Sequence, residues 1–154
     1  MRSANGRASH PSSSRSGFGW IWLSAAWVVA LVSTFAALFI GEVMGMVPCQ
    51  LCWYQRILMY PLVLVIAAGI LRRDPGIHQY VLPVSVLGLL ISIYHNLLYF
   101  HVIPEEIQPC TVGIPCTTIQ IEWLGFITIP LMSMTAFTVV TICMAIHRRM
   151  AAGT

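Results

Sequence analysis

Four long apolar runs, separated by short polar segments, set the pattern of the chain. Residues 20–40 form 21 consecutive positions without a charge, enough helix at about 1.5 Å per residue to cross a hydrocarbon core of about 30 Å. The second run starts just after Pro48 and reaches residue 71, broken only by Arg56, and the third covers 80–100. The fourth covers 123–146 and stops at His147, Arg148 and Arg149. Arg72, Arg73, Asp74, Pro75 and Gly76 make a hydrophilic turn between the second and third runs, and 101–122 is too polar and proline-rich to lie in lipid. The pattern predicts an all-α membrane protein, a bundle of four transmembrane helices arranged as two long hairpins over residues 20–146. Pro61, Pro83 and Pro130 fall inside the expected spans, where packing against neighbouring helices makes them tolerable.

The flanks read differently. Residues 1–19 are rich in serine, glycine and arginine and bury too little apolar surface to offset the entropy of ordering, so a disordered tail is expected, with a short second tail over 147–154. Arginines ahead of the first run and the small residues Ala36 and Ala37 resemble a cleaved signal peptide, but Leu38, Phe39 and Ile40 extend the uncharged core and favour a retained span.

Composition identifies the solvent. With 58% hydrophobic and 8% charged residues, the chain cannot clothe a water-soluble globule of its size, and lipid must cover most of it. The formal charge of +3 comes from scattered arginines rather than a basic patch, which excludes a nucleic-acid partner. Arg2, Arg7 and Arg15, then Arg72 and Arg73, then Arg148 and Arg149 all fall on one side of the predicted bundle: seven of the eight basic residues. The positive-inside tendency makes that side cytoplasmic, with both termini on it, in a multi-pass membrane protein. The opposite, extracytoplasmic side receives Glu42, Glu105, Glu106 and Glu122, together with Cys49, Cys52, Cys110 and Cys116. Two cysteine-bearing loops therefore face a compartment where disulfides form and persist.

The first pair is a CxxC following Pro48, at the start of the second helix, where proline suits the first turn. Free N–H groups and the positive end of the helix dipole stabilise a thiolate there, at Cys49 or Cys52; the spacing does not choose. Arg56 follows Cys52 by four residues, on the same face and one turn deeper. Roughly 22 Å of helix separate it from residue 71, which puts the guanidinium just under the outer boundary. An arginine there can simply snorkel to the headgroups. Below a CxxC it can also stabilise the Cys52 thiolate and the oxygen of a membrane quinone as it gains negative charge. Trp53 and Tyr54 can line a quinone pocket or act as interfacial anchors. His95, at a similar depth on the third span, can donate to quinone or be satisfied by a neighbouring helix.

Cys110 and Cys116 lie in a short loop with Pro109, Gly113 and Pro115. A ring that small stabilises by only roughly 2 to 3 kcal/mol when closed, which suits exchange better than stapling. Exchange with Cys49 and Cys52 is feasible if this loop lies over the mouth of the bundle. Cys143, near the cytoplasmic end of the fourth span, reads as a small packing residue.

The run Pro48, Cys49, Gln50, Leu51, Cys52, Trp53, Tyr54, Gln55, Arg56, continued by Ile57, Leu58, Met59, Tyr60 and Pro61, resembles the signature of the DsbB/BdbC family of disulfide bond formation proteins, and its BdbC-like branch in particular. Tyr94, His95 and Asn96, the Pro-Cys pairs of the loop, and the segment from Glu122 through Trp123, Leu124, Gly125 and Phe126 to Pro130 extend the similarity to all but the tails. The resemblance implies a membrane thiol:quinone oxidoreductase working on an extracytoplasmic thioredoxin-fold thiol oxidase (DsbA/BdbD-like). This partner would attack the Cys110/Cys116 disulfide, with Cys110 the expected point of attack. An interloop link between Cys116 and Cys49 would then free Cys52 beside Arg56 to reduce ubiquinone or menaquinone, the relay known to keep the bacterial periplasm oxidising. The five residues between Cys110 and Cys116 make a shorter loop than the better-known DsbB form carries, which leaves the partner-facing cysteine open. Two other classes compete: a four-thiolate zinc protein, and a tetraspan structural protein whose disulfides only staple its loops.

Overall fold

A computed structural model describes residues 13–102, 122–123 and 127–152. Helix α1 runs over Ser13–Leu38 and passes into a π-helical turn at Phe39–Val43, α2 covers Gln50–Arg72, α3 covers His78–Tyr99 and α4 covers Ile129–Ala152. Two short strands, β1 (Glu122–Trp123) and β2 (Ile127–Thr128), pair antiparallel, Glu122 opposite Thr128 and Trp123 opposite Ile127, just ahead of α4. Each helix packs on its neighbour in the chain, and α1 packs on α4 to close the ring. All four are long and apolar enough to cross a membrane, over Gly19–Val43, Gln50–Arg72, His78–Tyr99 and Ile129–Ala151.

Three boundaries depart from the expectation, one of them the end of α4, which continues through His147, Arg148 and Arg149 to Ala152 where a tail was expected. Helix α1 begins at Ser13, so part of the segment expected to be disordered is helical; residues 1–12 lie outside the described residues. The fourth span begins at Ile129 rather than 123, because the preceding apolar residues form the β1–β2 hairpin. Pro130 accordingly sits in the first turn of α4, where its missing N–H leaves no bond unmade. Pro61 and Pro83 do lie inside helices, as expected.

The core follows from which faces meet. Leu23, Ala26 and Ala30 of α1, Met59, Leu62 and Ile66 of α2, Val81 of α3, and Phe137, Val140, Cys143 and Met144 of α4 are buried together. Cys143 is thus a packing residue. Glycine at position 88 lets α3 approach α4: a Cβ there would overlap the Phe137 ring. Phe35, Leu64, Leu87, Leu90 and Ile142 point outward and exposed, as expected where the surrounding medium is hydrocarbon.

Polar contacts mark the two ends. At one, His147 Nδ1 lies 3.1 Å from the Gly19 carbonyl oxygen, so the start of α1 and the end of α4 are adjacent, beside the α2–α3 turn. There Arg73 closes α2 in the left-handed region, and the Asp74 carboxylate accepts from the Gly76 N–H at 2.8 Å. At the other, the Asn96 amide donates to the carbonyls of Ser92 (2.8 Å) and Pro130 (2.9 Å), tying the end of α3 to the start of α4. That second end carries the first cysteine pair.

Candidate active site

Cys49 caps α2. Its backbone is extended (φ −67°, ψ 166°), helical geometry begins at Gln50, and the Cys52 N–H donates to the Cys49 sulfur at 3.4 Å. Pro48 therefore stands one residue outside the helix rather than in its first turn, because Cys49 takes the capping role that serine or aspartate usually fills. The two sulfurs are 2.8 Å apart, in hydrogen-bonding contact as free thiols.

His95 reaches this pair from α3. It is buried, its Nε2 lies 3.8 Å from the Cys49 sulfur, and its Nδ1 lies 3.2 Å from Gln55 Nε2. With the Gln55 amide donating to Nδ1, the neutral ring carries its proton on Nε2, facing the sulfur. Leu51, Leu98, Ile91 and Tyr94 pack around the group. Cys49, just ahead of the α2 span, is held below the ordinary thiol range, first by contact with the Cys52 thiol and then by the His95 ring, while burial pushes the other way. Between the two cysteines left open by the spacing, Cys49 is the one the structure equips as a thiolate.

Cys52 faces a different way. It lines a cavity of about 180 Å³ enclosed by α1, α2 and α4, together with Arg56, Gln55, Ser33, Ser133 and apolar side chains including Ala36, Met59 and Phe137. Cys52 and Arg56 thus share a wall, as their spacing predicts. The guanidinium lies over Gly41 in the π-helical turn, where a Cβ would come within 2.8 Å of Nη1. Among the described residues it has no carboxylate partner, although charges within a membrane are usually paired.

The remaining expectations divide. Trp53 and Tyr54 are 53% and 44% exposed and are not part of the cavity wall; consecutive helical residues project about 100° apart, and with Cys52 turned inward these two turn outward, as interfacial anchors do. His95 is absent from the wall as well and serves Cys49 instead. Cys110 and Cys116 lie outside the described residues. Gln55, 5% exposed, was given no role by sequence reasoning. A polar residue on an otherwise apolar helix, one turn and a half from Cys49, was its only signal.

Comparisons with known proteins identify the family. The family model described as "Disulfide bond formation protein DsbB" matches residues 19–147. A probable disulfide formation protein of Metapseudomonas resinovorans is 43% identical over 135 residues, covering 87% of this chain and 94% of its own. Disulfide bond formation protein C of Bacillus subtilis (strain 168) is 43% identical over 126 residues, 82% of this chain and 91% of that one. No solved structure matches. A dithiol capping a membrane helix, together with a family match that spans all four helices, places this chain in the DsbB family of disulfide bond formation proteins.

Proposed function

We propose that the chain reoxidises an extracytoplasmic thioredoxin-fold thiol oxidase and delivers the electrons to a membrane quinone. The observation that carries this reading is the division of the first pair: Cys52 lines the cavity with Arg56, while Cys49 does not and is instead held by His95. One sulfur is thus presented to a lipid-soluble acceptor and the other to the protein end of the relay. The distribution of arginines supports an extracytoplasmic position for both cysteine pairs and cytoplasmic termini.

The cavity suits the headgroup of such an acceptor. At about 180 Å³ it is smaller than the roughly 300–1,000 Å³ of drug-sized pockets, so it takes a ring and leaves an isoprenoid tail in lipid. Its wall is apolar apart from a few groups, and among the described residues Arg56 is its only cation. A bound quinone supplies a two-electron, two-proton sink. Two partner thiols become a disulfide as Cys110/Cys116 is reduced, and that pair is reoxidised as Cys49/Cys52 is reduced in turn, by thiolate attack on a disulfide sulfur through a Cys116–Cys49 link. Arg56 offers donors to an oxygen that gains charge.

Reduction of a soluble quinone analogue by reduced partner thiols, with detergent-purified protein, tests the reading. Cys52→Ser should abolish quinone reduction and Arg56→His should slow it by about tenfold or more, the loss of one charge-assisted hydrogen bond. Cys110→Ser should block delivery from the partner yet leave oxidation of Cys49/Cys52 by quinone intact. Equal rates in all three variants would remove the proposed order.

A further inference from the structure

Cys49, Cys52 and His95 offer three metal-ligating atoms that all lie within 4.8 Å of one another. We propose that the reduced pair, with His95, forms a zinc(II) site that holds the enzyme in its reduced, inactive state. The inhibitory part rests on the thiol:quinone reading above; the binding does not.

The geometry is close to what the ion requires. With Zn–S near 2.3 Å and Zn–N near 2.0 Å in a tetrahedron, ligand atoms stand about 3.8 Å apart for two sulfurs and about 3.6 Å for sulfur and nitrogen. His95 Nε2 is already 3.8 Å from the Cys49 sulfur. The sulfurs, at 2.8 Å, need to part by about 1 Å, a small rotation at Cys52, the less buried of the two. The ring is also prepared from behind: metal-binding histidines generally have their other nitrogen held by a polar neighbour, and Gln55 contacts Nδ1. For metal binding the proton must leave Nε2, so the same contact then runs from Nδ1–H to the Gln55 carbonyl oxygen, a half-turn of the amide.

Charge favours occupancy at a membrane boundary. Two thiolates, a neutral imidazole and zinc(II) sum to zero, whereas the bare dithiolate places two like charges side by side in a partly buried site. Binding releases whichever thiol protons the pair still carries and involves no change of oxidation state. Three protein ligands leave the fourth position to water or a small anion, and the sulfur lone pairs needed to attack a disulfide or reduce an acceptor are engaged by the metal. Formation of the Cys49–Cys52 disulfide removes the site, so only the reduced enzyme is inhibited.

The test uses the full-length chain, purified in detergent and fully reduced, with cobalt(II) as a spectroscopic probe and zinc(II) as competitor. One cobalt per chain should bind, with the strong visible bands of tetrahedral coordination and a near-ultraviolet thiolate band, and zinc should displace it. Oxidised protein should bind none. Cys49→Ser and His95→Gln should each weaken zinc binding by at least tenfold, and the Cys110→Ser/Cys116→Ser double variant should bind as the unmodified chain does. Absence of stoichiometric binding, undiminished binding in Cys49→Ser, or loss of the site in the double variant would each overturn the proposal, the last by revealing a four-thiolate site. In the unmodified chain zinc should slow quinone reduction and a chelator should restore it; a chain that reduces quinone but binds no zinc loses this site alone, and one that binds zinc but never reduces quinone loses the thiol:quinone reading alone.

Discussion

Gln55 on α2 and His95 on α3, forty residues apart in sequence, meet at 3.2 Å, and this contact sets which nitrogen of the ring carries the proton that faces Cys49. A histidine without that neighbour would share its population between two tautomers, only one of which donates to the sulfur.

Replacing Gln55 by leucine keeps the volume and removes the donor. Cys49 should then titrate higher, because a ring that donates less favours the thiolate less, and oxidation of the reduced pair by quinone should slow by roughly tenfold, the worth of about 1.4 kcal/mol of hydrogen bonding. Following the alkylation rate of Cys49 against pH, with chelator present, separates this from a folding defect. An unchanged profile with a lowered rate would mean that Gln55 acts only through packing.

Gly41 should govern the position of Arg56. The guanidinium rests where a Cβ would stand, 2.8 Å from Nη1, so Gly41→Ala must push it along the cavity wall. The expected result is a KM for the quinone analogue raised several-fold with little change in the alkylation of Cys49, which touches neither residue. If instead KM holds and Cys49 reactivity falls, the displacement has passed through the helix to the cysteine pair.

Gly88 plays an equivalent part in the core. A Cβ on α3 at this position overlaps the Phe137 ring, and Phe137 is both fully buried and part of the cavity wall. Overpacking of this kind typically destabilises by about 1 to 3 kcal/mol. Gly88→Ala should lower the thermal midpoint in detergent, and Phe137→Leu in the same chain should recover part of the loss. A double variant less stable than either single change would contradict the contact.

Much of this was legible in the linear pattern, and the exceptions have physical reasons. Long uncharged runs have few alternatives in lipid, which is why the four spans were found to within a few residues at most ends. The start of α4 was not, since Trp123, Ile127 and Thr128 suit a strand as well as a helix and only pairing across the hairpin decides between them. Cys52 and Arg56 could be placed on one wall because four residues bring side chains to the same helix face. The destination of His95 could not, because nothing within α3 says that its ring faces Gln55 and Cys49 rather than the cavity. Trp53 and Tyr54 were ambiguous for a related reason: aromatic residues at a membrane boundary serve pockets and lipid alike.

The acidity of Cys49 supplies the last prediction. The Cys52 thiol and the His95 ring hold its sulfur below the ordinary thiol value of 9.0. A depressed folded value means that the unfolded reduced chain binds the proton more tightly. The thiolate therefore stabilises the folded, reduced form fully above the ordinary thiol range, by a margin that shrinks as pH falls and vanishes below the folded value. In a Cys110→Ser/Cys116→Ser/Cys143→Ser background, alkylation of Cys49 by iodoacetamide should stay nearly flat from neutral into mildly acidic pH before it drops. Cys52→Ala, which removes the largest of the stabilising contacts, should move that drop upward, toward the ordinary range. A rate in the unmodified CxxC that climbs about tenfold per pH unit up to about 8.5, as a free thiol does, would mean that the contacts around Cys49 do not hold a thiolate, and the disulfide would then lack this source of oxidising power.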